Sequence, residues 1–364
     1  MERGGQPSHG SSQLVSVPKS VIIPSLSSIS CVGFIIVYVC CSSILGGDAL
    51  LSGRIVFGPV PSRRLGLSLG VNNVFDKYCS YSCVYCSVGH TTHMIIERRV
   101  FYEPEKILDD VLWALRDRRV DVVSFVPNGE PTLDINLGRE VELLRENIDV
   151  PLAIITNSSL LYREDVQSDV GLFDIVSVKV DAVSVDVWRR INRPHPRLVL
   201  DKILDGIRRF SRDYGGRLIT ETMLVDGVND DVGELRGIAE FIRSLRFDKA
   251  YITTPIRPPA DEWVRPPSEE KLLLAYRVFS EVLGEDRVEL LARPEKPFFG
   301  FTNDLVDEIA RTIYVHPIRL DYVYKLAEER GLDGGKVVEE LVSKGYARIV
   351  EYMGVEFLVP RTRR

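Results

Sequence analysis

From Ile55 onward, short apolar runs alternate with stretches in which apolar residues recur at helical spacing. The runs "LSLGVN" (67–72), "DVVSFVP" (121–127), "PLAIITN" (151–157), "DIVSVKVDA" (174–182), "RLITETMLV" (217–225) and "KAYITTP" (249–255) read as six strands. Between them Ile107, Leu108, Val111, Leu112 and Leu115 form one apolar stripe, and Leu235, Ile238, Phe241, Ile242 and Leu245 another. Repeated βα units of this kind predict the α/β class and an incomplete (βα)6 TIM-like barrel over residues 53–298. In such a barrel the functional residues sit at the C-terminal ends of the strands and in the loops that follow. Past Leu290 the pattern changes to helix, helix, helix and a hairpin turning near Gly354, which predicts a small winged-helix-like domain over residues 299–364.

The first 52 residues do not fit this alternation. Residues 1–30 are rich in Ser, Gly and Pro, and the apolar run "CVGFIIVYVCCSSIL" (31–45) is short against the roughly 20 residues a bilayer span needs. A leader outside the fold is the favoured reading, with a membrane anchor as the alternative. The whole chain has 364 residues, 45% hydrophobic and 27% charged, a composition that can bury a core. With 46 basic and 52 acidic side chains the net charge is −6, so no overall positive field draws the protein to nucleic acid or an anionic membrane. Any RNA contact must be local. The C-terminal domain is no more basic, with ten Lys/Arg against eleven Asp/Glu between residues 300 and 364.

Six cysteines fall in two groups, Cys31/Cys40/Cys41 in the leader and Cys79/Cys83/Cys86 in "DKYCSYSCVYCSVG" (76–89), with none after Cys86. Neither group resembles a disulfide framework, and the rest of the chain reads as a protein of a reducing compartment, which predicts the cytoplasm. A closed zinc site wants four ligands, which His90 and His93 could help to complete. "CVYC" alone fits a thiol redox motif but leaves Cys79 unexplained. Three thiolates in one loop can also hold three corners of a cubane iron–sulfur cluster and leave the fourth iron open to an exogenous ligand. A non-catalytic metal-binding module is the alternative to an enzyme.

"CSYSCVYC", with aromatic Tyr85 before the last cysteine, resembles the C-x-x-x-C-x-x-C motif of the radical S-adenosylmethionine (radical SAM) superfamily. The resemblance implies that Cys79, Cys83 and Cys86 hold one 4Fe-4S cluster. It implies further that the open iron chelates S-adenosylmethionine, and that an electron from a partner such as ferredoxin or flavodoxin splits it to a 5′-deoxyadenosyl radical. "PNGEPTL" (127–133) resembles the superfamily's Gly-Gly-Glu turn, which implies that Asn128, in place of the first glycine, Gly129 and Glu130 bind the cofactor by contact with its amino group. By the same resemblance Tyr85, Asn157 in "TNSSLL", and Lys179 and Asp181 in "SVKVDA" serve the cofactor. Ser177, Lys179 and Asp181 alternate with Val178 and Val180 and so share one face, where a mutual ion pair is the alternative use of the two charges.

"GPVPSRRLGLSLGVN", "NGEPTL", "TNSSLL", "INRPHP" and "TTPIRPPADEWV" together look like the radical SAM group related to wyosine synthases, which build a tricyclic base in transfer RNA; the likeness spans roughly residues 55 to 300. Those enzymes carry a second cluster on three widely spaced upstream cysteines, a spacing that Cys31, Cys40 and Cys41 do not match. The likeness implies a macromolecular substrate, transfer RNA or another RNA ahead of a protein. Arg63, Arg64 and Arg257, in "SRRLG" and the "RPP" loop, would suit its phosphate or carboxylate groups. His316 in "YVHPIR" reads as a helix-start residue.

Overall fold

The computed structural model describes residues 53–292, 299–301 and 304–361. The predicted leader with Cys31, Cys40 and Cys41 lies outside the described residues, as does the basic tail beyond Arg361. In chain order the strands are β1 (Val56–Ser62), β2 (Gly66–Val71), β3 (Tyr78–Cys79), β4 (His93–Met94), β5 (Val122–Phe125), β6 (Leu152–Thr156), β7 (Ile175–Lys179), β8 (Arg217–Met223), β9 (Lys249–Thr253), β10 (Val288–Leu291), β11 (Ile318–Arg319), β12 (Ala347–Tyr352) and β13 (Val355–Pro360). The α-helices are α1 (Pro104–Leu115), α2 (Leu137–Asn147), α3 (Glu164–Val170), α4 (Val185–Asn192), α5 (Leu200–Asp213), α6 (Val232–Arg243), α7 (Glu269–Leu283), α8 (Leu305–Ile313), α9 (Leu320–Glu328) and α10 (Gly334–Ser343).

The main sheet runs β1-β2-β5-β6-β7-β8-β9-β10, an α/β partial barrel. The strands from β2 to β10 are parallel to their neighbours, and β1 is antiparallel to β2 at the edge. All six predicted strands are present, but the parallel set has a seventh member, β10. The expectation of a six-stranded barrel is corrected accordingly: "VELL" is too short a run to separate from the end of α7 by pattern alone. The apolar stripes of the helices do what amphipathic stripes do. Ile107 and Val111 of α1, and Leu235, Ile238 and Ile242 of α6, are fully buried in the layer between helices and sheet.

Alternation along each strand sends the other face into the barrel. There Leu65, Val122, Ala153, Ile219, Tyr251 and Leu291 pack into an apolar floor. Above it the inward positions become polar, with Ser68 and Ser124 hydrogen-bonded to one another and Lys179 directly opposite Glu221 in the β7–β8 register. A dry floor beneath a polar layer leaves the strand C-terminal ends as the place for chemistry.

The C-terminal elements α8, α9 and α10 are followed by the β12–β13 hairpin, which turns at Met353 and Gly354 and pairs through β13 with β11. They form one compact unit with the barrel. Phe57 and Val60 of β1 belong to the same apolar cluster as Phe299, Phe301, Ile309 and Val323. Gly70 of β2 leaves room for the Phe57 ring opposite it, since a Cβ there would meet that ring at 2.1 Å. Arg118, in the loop between α1 and β5, pairs with Glu308 of α8 with both side chains buried, and Arg311 donates to the Val56 carbonyl at 2.7 Å. No helix among the described residues is long and apolar enough to cross a membrane.

Candidate metal and cofactor site

The loop after β2 carries the three thiols and is strapped in place by a second loop. Ser82 and Val84 donate backbone N–H bonds to the carbonyls of Asn192 and Ile191, both at 3.0 Å, and His195 N–H returns one to Ser80 at 2.9 Å. Trp188 Nε1 donates to the Tyr81 hydroxyl at 3.1 Å. "INRPHP" therefore acts as the strap that shapes the cysteine loop. On the other side Tyr78 stacks on His93 at 4.1 Å, with Phe75 and Phe101 against its edges.

Cys79, Cys83 and Cys86 all line one cavity of about 330 Å³ at the barrel mouth, together with Tyr85, Asn128, Gly129, Glu130, Asn157 and Lys179. The sequence motifs thus converge on one place, with the exception of Asp181. That carboxylate is buried beside the cavity and accepts from Tyr85 Oη, from Asn192 Nδ2 at 2.9 Å and from Met223 N–H at 2.9 Å. It holds Tyr85 rather than facing the open space. Lys179 Nζ lies 3.5 Å from Asp181 but 3.2 Å from Glu221, and sits 5.0 Å from the centre of the Tyr85 ring. The ion pair foreseen as an alternative use of Lys179 and Asp181 is present, with Glu221 as a further partner that in turn pairs with Arg64.

Glu130 is 1% exposed. Its carboxylate accepts from Thr132 N–H at 3.2 Å, Thr132 Oγ1 at 2.7 Å, Thr156 Oγ1 at 2.6 Å and Asn157 N–H at 2.8 Å, tying the loop after β5 to the loop after β6. Burial pushes its carboxyl up, against the pull of those donors. Gly129 is required by a close approach: a Cβ there would stand 1.9 Å from the Tyr78 carbonyl oxygen, which accepts the Glu130 N–H at 3.0 Å. Asn128 is anchored by its backbone N–H to Asn72 Oδ1 at 3.0 Å, while its own Oδ1 is buried without a partner in the cavity wall.

These residues fit an iron–sulfur cluster and a bound sulfonium cofactor. Burial raises the Cys79 thiol to about 11 and, with Asp181 adding to it, the Cys83 thiol to about 12. Thiols so placed ionise only against a positively charged centre. Burial also acts on Cys86, but the Lys77 ammonium at 3.0 Å draws it below the ordinary range. The histidines that could have completed a zinc site are engaged elsewhere, His90 with Asp261 at 3.3 Å and His93 with Tyr78 and the Asp76 carbonyl. The orphaned Asn128 Oδ1 offers an acceptor to an ammonium group in the cavity.

Three neighbours were not singled out in the sequence: Lys77 on Cys86, Asn192 on Cys83 at 3.4 Å, and Glu221 on Lys179. Lys77 lies inside the cysteine stretch and Asn192 inside "INRPHP", so both were in view without a role. The arginines of the mouth are engaged by the chain, Arg63 with the Leu291 carbonyl and Arg257 with His316 Nε2 at 2.9 Å. His316 does not start a helix. It follows α8, precedes β11 and lines the cavity with Val315.

Comparison with known proteins accords with this geometry. The model of the Radical SAM superfamily matches residues 74–242. The UPF0026 protein of Methanocaldococcus jannaschii is 44% identical over 306 residues, covering 83% of this chain and 95% of the relative. A UPF0026 protein of Helicobacter pylori (strain ATCC 700392 / 26695) is 35% identical, over 63% of this chain and 74% of the relative. Among solved structures, a radical SAM methyltransferase from Sphaerobacter thermophilus is 18% identical, with a TM-score of 0.45 over 62% of this chain and 66% of that one. The UPF0026 relatives are not specifically wyosine synthases, so the likeness drawn from the motifs holds at the level of the superfamily.

Proposed function

The chain belongs to the radical SAM superfamily and to its group of UPF0026 proteins, and from that premise we propose that Cys79, Cys83 and Cys86 carry the cluster and that the enzyme acts on a macromolecular substrate, RNA ahead of protein. It is an iron–sulfur enzyme whose cofactors are a 4Fe-4S cluster and S-adenosylmethionine. When bound, the two together supply one-electron chemistry that a protein side chain cannot. The protein's part is placement. The three thiols hold the cluster at the mouth, and the Asn128 carbonyl and the Asn157 and Lys179 side chains present polar groups to the cofactor beside it. Tyr85, Glu130 and Asp181 fix those groups from behind, and the apolar floor keeps water from reaching the site through the barrel. Electrons would come from a small reductant such as ferredoxin or flavodoxin.

The observation that carries the reading is the convergence of three thiols, an orphaned acceptor and a lysine on one cavity whose far wall is Val315 and His316 of the C-terminal elements. Those elements read as a winged-helix-like module, a fold suited to holding a polymer next to the radical source. Wild type and Cys83→Ala, reconstituted anaerobically, would be reduced with dithionite in the presence of S-adenosylmethionine. Release of 5′-deoxyadenosine is then measured alone, with RNA from a strain lacking the protein, and with protein from that strain. Wild type should hold about four irons per chain and release 5′-deoxyadenosine, more so with RNA, while Cys83→Ala should release none. Stimulation by the protein fraction alone identifies a maturase, and no release from fully loaded protein identifies a non-catalytic metal-binding module.

A further inference from the structure

Each of the three thiols is addressed by one side-chain nitrogen from a different direction. Asn157 Nδ2 lies 3.5 Å from Cys79 Sγ, Asn192 Nδ2 lies 3.4 Å from Cys83 Sγ, and Lys77 Nζ lies 3.0 Å from Cys86 Sγ. Two of the donors are neutral amides and the third is an ammonium, so the cluster site is electrically lopsided.

The chain goes to some length to put that ammonium there. Asp76 and Lys77 both adopt the left-handed conformation, φ 52° and 55°, which disfavours residues with a Cβ and persists only where the surroundings impose it. Here they do. The Asp76 carbonyl accepts from Thr92 Oγ1 and meets His93 Nδ1 at 3.1 Å, Tyr78 stacks on His93, and β3 pairs with β4 immediately after the turn. The pinned turn leaves the Lys77 side chain lining the cavity, with its ammonium hydrogen-bonded to a cysteine sulfur.

We propose that Lys77 is a positioning residue for the cluster's redox poise: its ammonium, donated to the Cys86 sulfur, makes the cluster easier to reduce than the two asparagine amides alone would. Hydrogen bonds and positive charge at a ligating sulfur stabilise the reduced, more negative state, and they act strongly where water is excluded. The inference rests on the assignment of the cluster to these three cysteines. A lysine facing the same cavity could instead anchor the carboxylate of the bound cofactor, so the decisive measurement is made with that cofactor absent.

Full-length wild type, Lys77→Gln and Lys77→Arg would be reconstituted anaerobically without S-adenosylmethionine, and the reduced cluster's electron-paramagnetic-resonance signal followed through a potentiometric titration. The signal reports only loaded clusters, so partial loading does not obscure the midpoint. Lys77→Gln, which keeps an N–H but loses the charge, should shift the midpoint to more negative potential, while Lys77→Arg should stay near wild type. Equal midpoints in all three overturn the inference, and an unchanged midpoint with weakened S-adenosylmethionine binding in Lys77→Gln overturns it in favour of a cofactor anchor. Full iron content in Cys86→Ala would instead sink the cluster assignment itself, a result distinguishable from either.

Discussion

Replacing Glu130 with glutamine separates two roles that the same carboxylate could play. The resemblance implies contact with the cofactor's amino group, whereas the structure commits both oxygens to the chain itself. Three donors converge on Oε1 and the Asn157 N–H on Oε2. A glutamine keeps the better-satisfied acceptor by placing its carbonyl at Oε1, which turns its NH2 toward the Asn157 N–H. One hydrogen bond from a buried backbone donor is lost and two donors face one another, worth about 1–3 kcal/mol. Glu130→Ala strands all four donors and should cost more, though less than four times as much because neighbouring losses are not additive. Urea unfolding of the reduced, metal-free protein measures this as a lower midpoint at unchanged slope. Loaded Glu130→Gln protein should still bind S-adenosylmethionine with little change in affinity. Unaltered stability together with lost cofactor binding would refute the reasoning and make Glu130 a direct ligand.

A buried acid pair behind the same loop sets a pH dependence. Burial pushes the carboxyls of Asp134 and Glu140 up, so that the folded pair keeps a proton in a pocket bounded by Asn73, Arg98, the Asn136 N–H and Asp169. Their folded values exceed the unfolded ones near 4, so the native state holds the extra proton, and stability should fall as pH rises from there toward neutrality, by about 1.4 kcal/mol per pH unit. Glu140→Gln should flatten that slope in urea midpoints taken from pH 5 to 8, and an identical slope in both proteins contradicts the buried carboxyls as its source. At the junction with the C-terminal elements, Arg118→Met or Glu308→Leu alone removes one side of a buried ion pair; because Glu308 also lies 3.7 Å from Arg330 and Arg118 donates to the Gly58 carbonyl, the loss in the same assay should fall below the roughly 3–5 kcal/mol of an isolated buried pair. The double variant should recover most of the loss, and a double variant as unstable as the worse single one would show that the pair is not what joins them.

What the sequence conceals differs for fold and site. Six of the seven parallel strands are legible because a strand buried on both faces is a continuous apolar run bounded by turn residues. β1 is not, because "VFGPVPS" carries a glycine and two prolines, residues that argue against a central strand. They are tolerated because β1 is an edge strand with a register shift between Phe57 and Val60, and its burial comes from elements more than 200 residues later. No local pattern announces such a partner. His316 reads as a helix start for the same reason, since its surroundings are set by Arg257 across the chain rather than by its own segment.

The cysteines proposed to carry the cluster are legible because a metal-binding loop must gather its ligands within a few residues, and spacing survives in one dimension. The groups that govern those ligands need not be near in sequence, and two of the three are far away. Asn157 and Asn192 reach Cys79 and Cys83 across 78 and 109 residues, brought in by the loop after β6 and the end of α4. Glu221 reaches Lys179 only because the β7–β8 register sets the two side by side. Lys77 is the exception that shows what else is needed: two residues from Cys79, it was hidden by its backbone, since nothing in "DKY" states that an aspartate and a lysine will both turn left-handed. Ligand identity is thus written locally, whereas the charge around the ligands depends on register and on a pinned turn. It follows that relatives sharing the cysteine spacing can still differ in redox poise, and the residues at positions 77, 157 and 192 are where that difference would be found.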